Sequence, residues 1–251
     1  MKLNEKNPDG IMVVGDIHAM FYDLWALIAK KNPSIIIAAG DFGYWPGYPP
    51  WEKFIAEVNA GRLLKEHVIV YWIDGNHENH HAIIENILKP AGKVVGSHMV
   101  PIEMAPNLFY CPRGSILEIP DGRKILFAGG AYSIDKHMRK LGVDWFPEET
   151  LSHWHVGECF PRDVNIDIIV SHTCPLEFMD TMLPYDPYKA NDETQNALSM
   201  CLEMYKPDLW YLAHWHHWAR GSVKNTKWEA LNMNCRVGWY NWLPEGGHDA
   251  K

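Results

Sequence analysis

The sequence predicts a layered α/β fold, with mixed β-sheets packed as a sandwich and flanked by helices. Short apolar runs rich in β-branched residues recur along the chain, and segments with helical spacing separate them. Hydrophobic residues make up 47% of the 251 residues and charged residues 22%, which is typical of a folded globular protein and excludes a disordered or fibrous one. Alternation of this kind is typical of sheets whose faces are covered by helices.

Six of the apolar runs have the length and composition of strands that are buried on both faces. They span residues 11–14, 35–39, 68–73, 125–128, 166–170 and 209–213. Between about residues 99 and 127, Pro and Gly turns separate shorter apolar stretches, which predicts that part of the sheet is antiparallel or mixed.

Four segments between the strands carry apolar residues at helical spacing, at residues 21–31, 51–64, 81–88 and 192–205. No repeat, low-complexity tract or Gly/Ser linker divides the sequence, so we expect a single domain over residues 1–251. Residues 131–149 alternate in charge and end in Trp-Phe-Pro, and two interpretations stay open: a lid over a binding crevice, or a surface helix and turn.

The charge balance disfavours one class of partner. The chain has 23 Lys and Arg against 31 Asp and Glu, a formal net charge of -8, so no basic face for nucleic acid is indicated. Bound metal ions can still reverse the local charge for a phosphorylated substrate. The N-terminus is polar, no apolar run reaches membrane-spanning length, and the five scattered cysteines contain no C-x-x-C pair, so we expect a cytoplasmic protein with reduced thiols.

Residues able to bind metal ions come directly after five of the predicted strands. They are Asp16, His18, Asp41, Asn76, His172, His214 and His216, and no thiolate is among them. In open α/β sheets ligands bind just beyond the carboxyl ends of the strands, so five segments deliver polar groups to one place. The sequence therefore predicts a metal site at this end of the sheet.

Two pairs in this set have the spacing of ligands to a single ion. Asp16 with His18, and His214 with His216, stand at positions i and i+2, which point the same way in an extended segment. Seven protein ligands exceed what one ion needs. Two ions about 3.5 to 4 Å apart can share them if one carboxylate bridges the ions, as in phosphoryl-transfer sites.

The same residues resemble the signature of the calcineurin-like metallophosphoesterases. The matching blocks occur in order: Asp16-Ile17-His18, Gly40-Asp41, Gly75-Asn76-His77-Glu78, Ser171-His172 and His214-Trp215-His216. The middle of the chain is similar to a bacterial and phage branch, through Gly129-Gly130-Ala131 and Trp145-Phe146-Pro147-Glu148-Glu149.

The resemblance implies a role for each residue. Asp16, His18 and His216 would hold one ion, Asn76, His172 and His214 the other, and Asp41 would bridge both. A metal-bridging hydroxide would be the nucleophile, and His77 would protonate the leaving group. The N and O ligands suit Mn²⁺, our working assignment, and also Fe, Zn²⁺, Co²⁺ and Ni²⁺.

Two departures from the family pattern bear on the substrate. Phe42-Gly43-Tyr44-Trp45 follows Asp41 where protein phosphatases have Asp-Arg-Gly, and no Arg precedes the third block, so we expect phosphate-binding arginines elsewhere, with Arg113 and Arg220 as candidates. Tyr44 and Trp45 are either a stacking platform for a substrate ring or part of the core.

The function that these observations favour is hydrolysis of phosphomonoesters, small phosphodiesters or nucleotides, with two divalent ions. Two alternatives stay open. One is a metal-dependent nuclease, which the acidic balance disfavours. The other is a non-catalytic interaction scaffold that keeps the fold, which the complete ligand set disfavours.

Overall fold

The computed structural model describes residues 10–64, 68–92, 99–182 and 192–246. Twelve strands and six α-helices are found in this part of the chain. The strands are β1 (Ile11–Val14), β2 (Ile35–Ala38), β3 (Ile69–Trp72), β4 (Ile102–Ala105), β5 (Leu108–Tyr110), β6 (Ile116–Glu118), β7 (Lys124–Ala128), β8 (Ile168–Ser171), β9 (Leu209–Leu212), β10 (Ala219–Val223), β11 (Thr226–Ala230) and β12 (Tyr240–Trp242). The helices are α1 (Phe21–Lys31), α2 (Pro49–Asn59), α3 (His80–Ile83), α4 (His153–Cys159), α5 (Leu176–Met182) and α6 (Glu193–Tyr205).

The strands form two six-stranded sheets with the same plan. The first has the order β12-β1-β2-β3-β5-β4 and the second the order β10-β11-β9-β8-β7-β6. In each sheet the four central strands are parallel and each edge strand is antiparallel to its neighbour. The predicted layered α/β fold with mixed sheets flanked by helices is thus confirmed.

The central strands are buried on both faces, as their unbroken apolar sequences predict. Along β1, Met12 and Val14 join a cluster with side chains of α1 and α2, whereas Val13 joins a cluster that also contains side chains of β7 and β8. Successive side chains of a strand point to opposite faces, so one strand contributes to two layers of core. Full burial of each such side chain contributes about 1.5 to 3 kcal/mol.

Most helix boundaries follow recognisable end signals. Helix α1 ends at Asn32, which has a left-handed φ of 52°, and α6 begins after Asp192, which forms a capping box with Gln195. Helix α2 ends at Asn59 and not at the expected residue 64, because the chain turns at Gly61, where φ is 67°. Helix α3 continues into a π-helical turn, Ile84–Leu88.

The middle of the chain contains the short antiparallel pairs that its turns predict. Strand β4 pairs with β5, and β6 with β7, in antiparallel register. Residues 131–149 contain only two 3-10 turns, Lys136–Met138 and Pro147–Glu149, so the expectation of a surface helix there is wrong. Among the described residues, no helix is both long and apolar enough to cross a membrane.

Candidate active site

The segments that follow five parallel strands converge where the two sheets meet. The first sheet supplies Asp16 and His18 after β1, Asp41 after β2, and Asn76 and His77 after β3. The second supplies His172 after β8 and His214 and His216 after β9. The parallel order of the strands therefore brings together predicted ligands that lie as far apart in the sequence as residues 16 and 216.

One group of three side chains directs its polar atoms at a common point. Nε2 of His216 lies 2.9 Å from Oδ2 of Asp16 and 3.1 Å from Nε2 of His18. Nε2 of His18 lies 4.0 Å from the same Asp16 oxygen. These ligand atoms lie close enough together to hold a single ion.

A second group surrounds His172. Its Nε2 lies 3.3 Å from Oδ1 of Asp41 and 3.2 Å from Oδ1 of Asn76, and its Nδ1 donates to the carbonyl oxygen of Ala39 at 2.8 Å. That bond places the ring proton on Nδ1 and leaves the Nε2 lone pair for a ligand. The ring of His214 packs against His172 with centroids 4.9 Å apart.

Asp41 lies between the two groups. Its Oδ1 faces His172 and its Oδ2 lies 3.8 Å from Nε2 of His18. Its side chain is buried, which raises the pKa, but the neighbouring His172, His77 and His18 outweigh burial and hold the pKa well below its usual range. A buried, ionised carboxylate facing both groups is suited to bridge two cations.

The residues present fit divalent cations. Oδ2 of Asp16 is buried and makes no hydrogen bond of normal geometry to the described residues, although an imidazole nitrogen lies within 3 Å of it. Burial lowers the pKa of His172 and the neighbouring Asp41 carboxylate raises it, so a buried negative charge lies directly beside this ring. Both features are expected where ligand atoms face a cation.

The backbone at the site is strained. His18, Asp41, His214 and His216 have φ values of 50°, 45°, 70° and 47°, in the left-handed region that non-glycine residues seldom occupy. Such conformations cost on the order of 1 to 3 kcal/mol each and persist where the surrounding structure imposes them, often at functional sites. Four of the predicted metal ligands therefore have backbone conformations that are uncommon outside such sites.

Gly75 allows the loops after β2 and β3 to touch. A Cβ atom added there would lie 2.2 Å from Oδ1 of Asp41 and 2.7 Å from Nε2 of His172. Glu78 fixes the same contact, because its carboxylate accepts hydrogen bonds from the backbone N–H groups of Gly43 and Gly75. Burial and the charge of Asp41 raise the pKa of Glu78 to about 8.

Residues 131–149 are attached to the site through Asn76. The Asn76 side-chain Nδ2 donates to Oγ of Ser133 at 3.0 Å, which leaves its Oδ1 facing His172. The Ser133 hydroxyl donates to Oε2 of Glu149 at 2.9 Å, and its backbone N–H donates to Oε1 at 2.7 Å. The two ends of the segment thus position one predicted metal ligand.

His77 lies beside the ligand groups and faces a cavity. Its backbone N–H donates to Oδ1 of Asp41, and its ring centroid lies 5.4 Å from that of His18. Nη2 of Arg139 donates to Nε2 of His77 at 3.0 Å. Burial lowers the pKa of His77; the Asp41 charge offsets part of this effect and Arg139 adds to it.

The cavity has a volume of about 450 Å³ and opens beside the predicted ligands. Its lining includes His18, Asp41, Trp45, Tyr48, His77 and Arg139. The indole Nε1 of Trp45 donates to the carbonyl oxygen of His77 at 2.6 Å, which holds the ring at the cavity wall. Of the residues expected to contact substrate, Trp45 is the one found here.

Tyr44 is part of the core. It is 3% exposed, and its ring packs 4.8 Å from Trp51 and 5.6 Å from Trp72, measured between centroids. A ring held between two tryptophans has no face for a substrate. This placement corrects the expectation of a Tyr44 platform.

The two arginines proposed from the sequence are engaged elsewhere. Arg113 donates to Asp74 and to the carbonyl oxygens of Glu148, Glu149 and Thr150. Arg220 lies on the edge strand β10, where it pairs with Glu229 at 2.9 Å and covers the ring of Trp218. Neither lines the cavity beside His77, which argues against the phosphate-binding role expected for them.

Arg139 is the cavity arginine that sequence reasoning missed. It lies in residues 131–149, where no strand end or motif marks it. The only indication of such a residue in the sequence was the interpretation of residues 131–149 as a lid. The hydrogen bond between Arg139 and His77 agrees with a position of this segment over the site.

Comparison with known proteins assigns the family. The model of the calcineurin-like phosphoesterases matches residues 10–218, which contain every predicted ligand, and the chain belongs to this family. It is therefore a metal-binding hydrolase of phosphoesters, in a family that generally uses a two-metal centre. No curated protein sequence matches the chain significantly.

One solved structure supports the same fold over nearly the whole chain. The phosphopantetheinyl hydrolase of Mycobacterium tuberculosis superposes with a TM-score of 0.55 at 14% identity, over 97% of this chain and 98% of that one. A predicted phosphoesterase of Streptococcus pneumoniae matches with a TM-score of 0.35 at 10% identity, over 90% and 72% of the chains. GAP50, the anchor in the inner membrane complex of Plasmodium, matches with a TM-score of 0.44 at 10% identity, over 93% and 77%. Of these three superpositions, the first alone has a TM-score above 0.5.

Proposed function

We propose that the protein hydrolyses phosphomonoesters or small phosphodiesters, including nucleotides, with two divalent metal ions. The observation that carries this proposal is the position of Asp41, whose two carboxylate oxygens face His172 at 3.3 Å and His18 at 3.8 Å. Two neighbouring ions require a carboxylate that lies between their ligand groups and can bind both.

Each predicted ligand has a place in this proposal. Asp16, His18 and His216 hold one ion, Asn76, His172 and His214 hold the other, and Asp41 contributes to both. When bound, the ions supply Lewis acidity toward phosphate oxygens and a water of lowered pKa. Mn²⁺ is the proposed metal, and Fe, Zn²⁺, Co²⁺ and Ni²⁺, which the same N and O donors suit, are the alternatives.

His77 is the proposed general acid. Its ring lies in the cavity beside Asp41 and His18, within reach of a leaving group on a phosphate held there. In the structure its Nε2 accepts a hydrogen bond from Arg139. A substrate that draws Arg139 away frees this atom to carry the proton that the leaving oxygen needs.

The cavity supports a small substrate. Its volume of about 450 Å³ suits a compact phosphoester. Asp135 and Asp144 stand at its wall, which disfavours the nucleic-acid backbone expected of a nuclease. All seven predicted ligand positions keep metal-binding side chains, which disfavours a non-catalytic scaffold.

We also propose that the chain works as one domain. Val13 and Ile37 from the first sheet and Phe127 and Val170 from the second share one buried cluster. The predicted ligands come from both sheets as well, so neither sheet forms the site alone.

The proposal is tested with p-nitrophenyl phosphate, bis-p-nitrophenyl phosphate and single-stranded DNA, each with added Mn²⁺. We expect hydrolysis of at least one small ester, loss of activity with a chelator, and two ions per chain by metal analysis. Hydrolysis of DNA alone would favour the nuclease. Failure on every substrate by metal-loaded protein would favour the scaffold.

A further inference from the structure

Arg139 contacts the ring of His77, and among the described residues its hydrogen bonds and ion pairs involve none of the predicted ligands. The contacts run in sequence: Oδ1 of Asp41 accepts from the backbone of His77, and Nε2 of His77 accepts from Arg139. Both His77 and Arg139 line the cavity. A group that binds Arg139 would therefore lie beside the ring of His77, the residue proposed to protonate the leaving oxygen.

The guanidinium of Arg139 has unused donors in a sheltered position. Its Nη2 makes both of the contacts found, to Oδ2 of Asp135 at 2.9 Å and to His77 at 3.0 Å. Within the described part of the chain, no partner is found for Nε or Nη1, although the side chain is only 12% exposed. A guanidinium carries five N–H donors in a planar fork that matches phosphate oxygens.

The charged side chains around Arg139 make most of their contacts within residues 131–149. Asp135 binds Arg139, and Asp144 accepts from the backbone N–H of Lys140. Nζ of Lys136 lies 4.5 Å from the ring centroid of Tyr132 and 5.6 Å from that of Trp145. These internal contacts shape the segment and leave the free face of Arg139 as its cationic donor toward the cavity.

We propose that Arg139 binds an anionic group on the leaving side of the scissile bond, and that the preferred substrates are phosphoanhydrides, in which the leaving group is itself a phosphate. This inference rests on the proposed function, because the leaving side is defined by the ligands and His77. Trp45 and Tyr48 line the same cavity and offer aromatic surface to a ring attached to the second phosphate.

The chemistry of such a substrate places charge beside Arg139. Water adds its oxygen to the terminal phosphorus and releases a proton to the solvent, and the bond from that phosphorus to the bridging oxygen breaks. The bridging oxygen keeps the electron pair and leaves as part of the second phosphate. The negative charge of the departing group therefore increases as the bond breaks, where a fixed cation stabilises it most.

The test compares two substrates in metal-loaded protein. We expect Arg139→Gln to lower kcat/KM for ADP by about 10- to 100-fold, as for loss of a charge-assisted hydrogen bond, and to lower it less than about 3-fold for p-nitrophenyl phosphate. Arg62→Gln, which removes the same charge at the exposed end of α2, is the matched control and should change neither. Equal losses on both substrates, or no loss on ADP, would overturn the inference.

A binding measurement separates this inference from the proposed function. By calorimetry, the Mn²⁺-loaded wild type should bind methylenediphosphonate at least about 10-fold more tightly than inorganic phosphate, and Arg139→Gln should remove most of that preference. A wild type without the preference overturns the inference even if the enzyme is active. A preference that Arg139→Gln removes, in a protein that hydrolyses nothing, supports the role of Arg139 and contradicts the proposed function.

Discussion

Nε2 of His18 lies 3.1 Å from Nε2 of His216, although 198 positions separate the two residues in the sequence. Each follows a parallel strand, one in each sheet, and each has a left-handed φ. A buried oxygen of Asp16 faces the same point. Ligand atoms from the segments after β1 and β9 thus converge on one point, where a bound cation would offset the buried charge of Asp16.

Asp41→Asn should abolish turnover and lower the metal content below two ions per chain. The amide keeps the shape of the side chain but removes the charge that faces both His172 and His18. The measurement is metal analysis of the purified variant together with its rate on p-nitrophenyl phosphate. Asp163→Asn, the same change at an exposed loop residue, is the control. Two ions and a normal rate in Asp41→Asn would mean that the bridging role is misassigned.

His77→Asn should lose activity in proportion to how poor the leaving group is. General acid catalysis is worth about 10² to 10⁴ in rate when the leaving oxygen must be protonated, and little when it departs as p-nitrophenolate. We expect a large loss on phenyl and alkyl phosphates, a small one on p-nitrophenyl phosphate, and normal metal content.

The leaving-group series checks this by the slope of log kcat/KM against leaving-group pKa. A steeper slope in the variant than in the wild type supports an acid at residue 77. Parallel lines, or loss of metal with the side chain, would show that His77 supports the site and does not donate the proton.

Ser133→Ala should weaken metal binding without removing a ligand. Ser133 accepts from the side chain of Asn76 and donates to Glu149, and loss of such a partner costs on the order of 10- to 100-fold in metal affinity or activity. A metal titration followed by calorimetry measures the effect. Ser222→Ala, at an exposed position of β10, is the control. Unchanged affinity in Ser133→Ala would show that the Asn76 amide is oriented by other contacts.

His80 should make the metal-free protein less stable as the pH falls. Burial, only partly offset by the Asp74 charge, lowers the pKa of His80 to about 4 in the folded state, while an unfolded His has a pKa near about 6.5. Above pH 6.5 the residue is neutral in both states and stability is complete. Between these pH values the unfolded chain takes up the proton first, so the free energy of unfolding falls by on the order of 3 kcal/mol.

His80→Gln isolates this effect, because the amide can still donate to the carbonyl oxygen of Gly75 as His80 does. Urea unfolding at several pH values between 7 and 4 should give a flatter pH dependence for the variant than for the wild type. If the two profiles run parallel, His80 does not couple protonation to folding.

The strands and the predicted ligands could be predicted from the sequence because the patterns that indicate them lie within a few consecutive residues. Strand β1 is observed at its predicted residues, and the other five predicted strands differ at their ends by two residues or fewer. In each case an apolar run is followed at once by Gly, Asp, Ser or His, and parallel order brings those ends together. Asp16, His18 and Asp41 could therefore be placed near one another without coordinates.

The substrate side could not be predicted because its contacts are long-range. Arg139 reaches His77 across 62 positions, from a segment without periodicity. The burial of Tyr44 depends on Trp51 and Trp72 from two other elements. Arg113 is held by Asp74, 39 positions earlier, and a sequence pattern does not specify which acid an arginine will meet. In each case, contacts between residues distant in the sequence determine where the side chain lies.

The division of the predicted ligands between the sheets has a mechanical consequence. Asp16, Asp41 and Asn76 come from the first sheet, and His172, His214 and His216 from the second. A pair of ions coordinated by these residues would be an inorganic cross-link between two halves of the molecule that are otherwise joined by apolar packing and by hydrogen bonds such as that from His172 to the carbonyl oxygen of Ala39. Metal loading would then make unfolding of the two sheets more cooperative, so that amide exchange in β2 and β8 slows together. A protein that releases its metals would lose this coupling before it loses its fold.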